Sequence, residues 1–129
     1  MSSPAFFVFD GDAFTPTGWV RGPWGQTISG NYVGGLLGHV IERDAGDAEL
    51  QPARLTVDLF RPASLTEPVR VETAVVRDGR RLKLVDAVMT QAGRVVARAN
   101  ALFLRRGEQP SGNRFTTTVT MPPVPPLTD

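Results

Sequence analysis

The chain has 129 residues, of which 41% are hydrophobic and 21% charged, a balance that suits one globular domain and excludes a disordered or fibrous chain. Fourteen Lys and Arg against thirteen Asp and Glu leave a formal net charge of +1, so no broad field draws nucleic acid or an anionic membrane. With no cysteine and one histidine, a disulfide framework, a thiolate nucleophile and a multi-histidine metal site are excluded.

The opening MSSPAFFVFDGD has no basic stretch and only a five-residue apolar run, too short for a signal peptide or a membrane span; a cytoplasmic location without membrane insertion is the expectation. Asp10 and Asp12 in DGD read as a turn, since the other ligands of a calcium loop are missing. FTPTGWVRGPWG predicts a short strand around residues 14 to 21, then a turn. Residues 29 to 43, SGNYVGGLLGHVIER, follow a helical period: Val33, Leu36, Leu37, Val40 and Ile41 form one face, with Ser29 or Asn31 as N-cap and Gly46 as a left-handed stop. Four glycines lie inside this helix, each costing about 0.8–1 kcal/mol relative to alanine. Gly30, Gly34 and Gly38 recur at i, i+4, i+8 and so share one line, which predicts close approach of a strand or partner helix there. Gly35 lies off that line and has no such explanation.

After residue 50 the period changes to two. In ARLTVDLFRP, Leu55, Val57 and Leu59 share one face and Thr56, Asp58 and Phe60 the other. PVRVETAVVRDGRRLKLVDAVMT predicts a hairpin with a primed turn at Asp78-Gly79, QAG at 91 to 93 a second turn, and RVVARANALFLRR the last long strand. Asp58 and Asp86 sit in alternating runs whose outer face is wet, and so read as solvated carboxylates rather than bases. FTTTVTM can add an edge strand, whereas Pro122, Pro123, Pro125 and Pro126 impose an extended tail. Strand, helix and antiparallel meander define an α+β fold, with one domain over residues 1–108 and an edge strand plus linker-like tail over 109–129.

PWGQTISGNYVGGLLGHVI, ARLTVDLFRP and VVRDGRRLKLVDAVMTQAGRVVARANALFL, in that order over residues 14 to 106, together resemble the first repeat of the double-hotdog acyl-CoA thioesterases of the thioesterase II-like group. The resemblance implies a hotdog fold, in which a curved antiparallel sheet wraps one long helix. It also implies a second hotdog, from a homodimer or a partner chain, that joins edge to edge around an acyl-thioester tunnel. No cofactor and no metal are implied. In that group the acid, hydroxyl and amide that activate water lie in the second repeat. Asn31 falls where that repeat carries the acid, and Asn100 where it carries the amide, so these two are the candidate catalytic residues; capping and a satisfied buried amide are their structural alternatives.

Thioester hydrolysis needs donors for the developing oxyanion, and a helix N-terminus supplies free N–H groups. That makes Gly30, Asn31 and Tyr32 candidates around an acyl-CoA or other acyl thioester, with Trp24 and Phe14 lining an acyl passage. Arg77 and Arg80, in the densest basic cluster, are candidates for the phosphates of coenzyme A; a soluble turn is the alternative. His39 comes too late in the helix for hydratase chemistry and reads as surface or interface packing. Two functions remain open: hydrolysis of an acyl thioester by a paired hotdog, or a non-catalytic acyl-CoA-binding half whose active residues lie elsewhere.

Overall fold

A computed structural model describes residues 4–127. A short hairpin of β1 (Phe7–Phe9) and β2 (Phe14–Pro16) is followed by a 3-10 turn at Gly18–Val20 and the helix α1 (Gly30–Ala45). Four long strands follow, β3 (Leu50–Leu59), β4 (Arg70–Asp78), β5 (Leu82–Gln91) and β6 (Arg94–Arg105), forming an antiparallel sheet in the order β3-β6-β5-β4. Consecutive strands β4, β5 and β6 make the meander, and β3 returns to pair with β6. β2 approaches the far edge, where Phe14 bridges Val69. One helix packed on this sheet is the α+β hotdog arrangement.

The core follows from the two periods. α1 buries Val33, Leu36, Leu37, Val40 and Ile41, and the inner sheet face meets it with Val85, Ala87 and Met89 of β5 and Ala97, Ala99, Ala101 and Phe103 of β6. Alanines at the centre of β6 leave the space that a helix crossing the sheet requires. Gln91 is the one buried polar side chain among the described residues, and it is fully used. Its Oε1 accepts from the Ser64 N–H at 2.7 Å, while Nε2 donates to the carbonyls of Ser64 at 2.9 Å and Glu67 at 2.8 Å. It thereby fixes the loop after β3 to the end of β5.

Of the two neighbours the spacing allows, a strand or a partner helix, the glycine line meets a strand, β3. A Cβ on Gly30 would lie 2.8 Å from Leu59 Cδ1 and one on Gly38 3.3 Å from Leu55 Cδ2, whereas at Gly34 the distance to Val57 Cγ2 is an ordinary 3.8 Å. The bare helix backbone thus receives the inward side chains of β3, tightly at two of the three positions. β3 is the free edge of the sheet. Its Pro52 is tolerated because an edge strand has an unpaired side, and a bulge follows between Pro52 and Arg54.

Four local expectations are corrected. Gly46 is not left-handed but extended, at φ −65° and ψ 151°; glycine is required because a Cβ would collide with the Glu42 carbonyl that accepts the Gly46 N–H. The β4–β5 hairpin does not turn at Asp78-Gly79. Gly79 pairs with Leu82 through a 2.9 Å bond, Arg80 and Arg81 make the turn, and neither has positive φ. The primed geometry appears instead at Ala92 (φ 49°) and Gly93 (φ 72°), between β5 and β6. Residues 14 to 21 form a brief strand and then a 3-10 turn, because the Thr17 hydroxyl accepts from the Trp19 N–H and starts a helical turn. Residues 115–121 form no strand and stand exposed, since nothing pairs with them on either side.

Candidate functional site

The start of α1 is positioned by backbone bonds from three directions. Ile28 N–H donates to Ala63 at 2.8 Å, Ser29 N–H to Val20 at 2.8 Å, and Leu65 N–H to Gln26 at 3.1 Å, so the 3-10 turn and the Gln91-anchored loop jointly aim the helix terminus. Ser29 is the N-cap by backbone, yet its side chain caps nothing; its hydroxyl donates to Asn31 Oδ1. The Ser29 carbonyl accepts the N–H groups of Tyr32 and Val33 at 3.0 and 3.2 Å. Among the described residues the N–H groups of Gly30 and Asn31 have no acceptor, and neither does Asn31 Nδ2. Two backbone donors and one side-chain donor therefore meet at the positive end of the helix dipole. Asn31 accepts from Ser29 and keeps its Nδ2 available as a donor, and its role as a cap is corrected, Ser29 being the N-cap.

Two apolar clefts flank this terminus. The first, about 430 Å³, lies between the β1–β2 hairpin and α1, walled by Phe6, Phe9, Phe14, Tyr32 and Leu36, with Asn31 at one end and His39 at the other. Its aromatic walls are ordered by contact: Phe6 and Tyr32 pack with ring centroids 4.8 Å apart, Phe9 and Phe14 stack at 4.5 Å. The Arg43 guanidinium lies 5.3 Å from the Phe9 centroid and 5.9 Å from that of Phe14, tying the hairpin to the second half of the helix. The second cleft, about 380 Å³, lies on the opposite flank between α1 and the end of β3, and includes Trp24, Gly30, Leu59, Phe60 and Arg61.

Of the candidate residues, Asn31 and Tyr32 share the first cleft and Gly30 and Trp24 the second, with the helix terminus between them. Trp24 is 84% exposed, so it does not belong to the core, whereas Phe14 does. Asn100 is elsewhere. It projects from the outer sheet face, where its Nδ2 donates to Asp86 Oδ1 at 2.6 Å and its Oδ1 accepts from Arg54 Nη2 at 2.7 Å. Asp58 shares that outer face, 3.3 Å from Arg98. The structure does not bring Asn100 to Asn31, because alternation along β6 aims it away from the helix. Arg77 and Arg80 are also remote within one domain: their turn adjoins the C-terminal end of α1, where Lys83 Nζ donates to the Ala45 carbonyl at 3.3 Å. A 16-residue helix separates them from Asn31, about 24 Å along its axis.

Sequence reasoning missed the β1–β2 hairpin, and with it the first cleft. The available signal was FFVF followed by FTP, two short apolar runs around DGD, where the Asp10 carboxylate accepts the N–H groups of Asp12 and Ala13 at 3.0 and 2.8 Å. Those backbone N–H groups, Ala13 first, hold the Asp10 carboxyl below its usual range.

The sheet and its single helix define the class, a hotdog domain. Residues 20–104 match the family of acyl-CoA thioesterase N-terminal domains, and the chain belongs to that family. No curated protein matches the sequence. Among solved structures, a thioesterase superfamily protein is 25% identical, with a TM-score of 0.64 over 71% of this chain and 46% of its own, so this chain spans under half of that protein. A thioesterase of Thermus thermophilus, solved with coenzyme A and zinc, is 17% identical, with a TM-score of 0.62 over 77% of this chain and 83% of that one. The PaaI protein of E. coli, from the phenylacetic acid degradation operon, is 16% identical, with a TM-score of 0.66 over 74% and 70%. No helix among the described residues is long and apolar enough to cross a membrane.

Proposed function

We propose that this domain binds fatty acyl thioesters as one member of a hotdog pair and takes part in their hydrolysis. The observation that carries the reading is the pair of unaccepted N–H groups, Gly30 and Asn31, set between two apolar clefts. A thioester carbonyl seated there is polarised toward its oxygen, which leaves its carbon electrophilic. Water adds to that carbon and gives its proton to a base of the paired hotdog, the N–H groups and Asn31 Nδ2 receive the oxyanion, and collapse expels the thiolate, which takes that proton up, leaving acid and thiol.

Support for pairing comes from β3. Its ten residues form a free edge on which Leu55 and Leu59 are 46% and 56% exposed, with Phe60 just beyond at 49%, an apolar edge of the kind a second sheet covers. The occupant is a second copy or a partner hotdog, and the proposed setting is the cytoplasm. A specific observation favours the second reading, an acyl-CoA-binding half whose active residues lie elsewhere: no carboxylate lines either cleft, so this half alone offers no base there to take the proton from water, and a catalytic pair needs one from the other hotdog.

Thiol release from acyl-CoAs separates the two. Under the hydrolytic reading, the protein in its paired state turns over acyl-CoA, and Asn31→Ala lowers kcat by about 10²-fold through loss of an oxyanion donor. Saturable acyl-CoA binding with no thiol release establishes the binding half instead. Absence of both refutes the proposal.

A further inference from the structure

Gly35 is the glycine that the β3 contact leaves unexplained. A Cβ there meets nothing within 4 Å, so neither packing nor backbone conformation requires glycine, although alanine is the better helix former. What Gly35 does is leave space in the first cleft, which it lines together with Phe6, Phe14, Tyr32 and Leu36. None of the cleft-lining side chains is a carboxylate, lysine or arginine, which suits an uncharged apolar body. Apart from the Tyr32 hydroxyl, its polar side chains belong to the two residues at its ends. Asn31, whose N–H has no acceptor among the described residues, closes one end, and His39 the other, eight residues along α1, about 12 Å away. Across the helix, the second cleft carries Arg61 at its lining and so is the less suitable home for a wholly apolar group.

The geometry points to the first cleft as the seat of the acyl group: the thioester carbonyl lies at the Asn31 N–H, a medium-length aliphatic chain runs along α1 toward His39, and Gly35 sets the length accepted. This rests on the thioester reading above and deepens it. Gly35→Leu then shortens the cleft without touching the donors at the helix start, and Gly35→Ala narrows it slightly.

The test is calorimetric titration of the wild type and both variants with the ketone analogues of acetyl-CoA and octanoyl-CoA, which resist hydrolysis, and with octanoate alone. In the wild type the octanoyl analogue binds more tightly than the acetyl analogue. Gly35→Leu leaves the acetyl analogue unchanged and weakens the octanoyl analogue at least about tenfold. Gly35→Ala shows the same preference to a smaller degree, and its melting temperature is at least that of the wild type. A folded Gly35→Leu protein that changes both analogues equally, or neither, overturns the assignment while leaving the thioester function standing. Octanoate binding that Gly35→Leu abolishes, with neither CoA analogue bound by the wild type, upholds the cleft and removes the thioester function. A wild type that binds neither the octanoyl analogue nor octanoate overturns the cleft. Should Gly35→Leu fail to fold, Gly35→Ala decides by the same comparison.

Discussion

On the β3 flank of α1, Gly30 and Gly38 let leucine side chains of the strand reach the helix backbone; on the hairpin flank Gly35 faces open space between aromatic walls. The residue type is the same and the propensity cost is the same, yet one flank recovers it in packing and the other does not. A glycine in a helix is therefore informative only together with what a Cβ would meet. Between the two flanks runs the core face, where Leu37 and Val40 are fully buried, and it sets the scale against which both are judged.

The largest effect is expected on that central face. Leu37→Ala removes a side chain with no exposed surface and should cost about 2–5 kcal/mol of unfolding free energy in urea titration. A loss below that range would mean that the helix is not the hub of the core, and the contrast between its flanks would lose its reference.

Next comes the glycine line itself. Gly38→Leu must displace Leu55, so an overpacking cost of about 1–3 kcal/mol stands against a gain of about 1 kcal/mol in helix propensity. The expected net result is a modest destabilisation with weaker self-association by sedimentation, because Leu55 lies on the free edge. Gly34→Ala, whose Cβ lies 3.8 Å from Val57, should instead stabilise by up to about 1 kcal/mol. Identical behaviour of the two variants would show that β3 does not press on the helix.

The smallest effect concerns the helix end. Asp44 accepts from Arg43 Nε at 2.7 Å and from the Thr73 hydroxyl at 2.8 Å, tying α1 to β4, and Arg43 foremost holds its carboxyl below the usual 3.8. A carboxyl lowered on folding contributes stability above pH 3.8 that disappears as pH falls through its folded value. Asp44→Asn should thus cost no more than about 1 kcal/mol at neutral pH, since the pair is partly exposed, and the difference in Tm from the wild type should begin to shrink only below pH 3.8 and vanish once pH has fallen past the lower, folded value. A difference that persists in acid would assign the effect to the hydrogen bond with Thr73 alone.

Much of the fold was legible because periodicity is a local property. The 3.6-residue period gave Val33 through Ile41 as the buried face, and the period of two placed Leu55, Val57 and Leu59 together and assigned Asp58 and Asp86 to the wet face. The same alternation, followed through β6, turns Asn100 outward, against the role that its family position implies. Turn details were less legible. Asp-Gly is a strong local signal for a primed turn, yet the bulge between Val75 and Arg77 shifts the register and moves the turn to Arg80 and Arg81.

By itself the sequence determined the layers, the buried stripe of the helix and the line of Gly30, Gly34 and Gly38 that invites close approach, because each depends on spacing along one chain segment; that β3 makes the approach was decided by the tertiary structure. Only the tertiary structure decided which candidates meet. Asn31 and Tyr32 reach one cleft, Gly30 and Trp24 another, and Asn100, Arg77 and Arg80 neither, since a side chain's destination depends on which element lies across from it and which way the pleat or helix turns it.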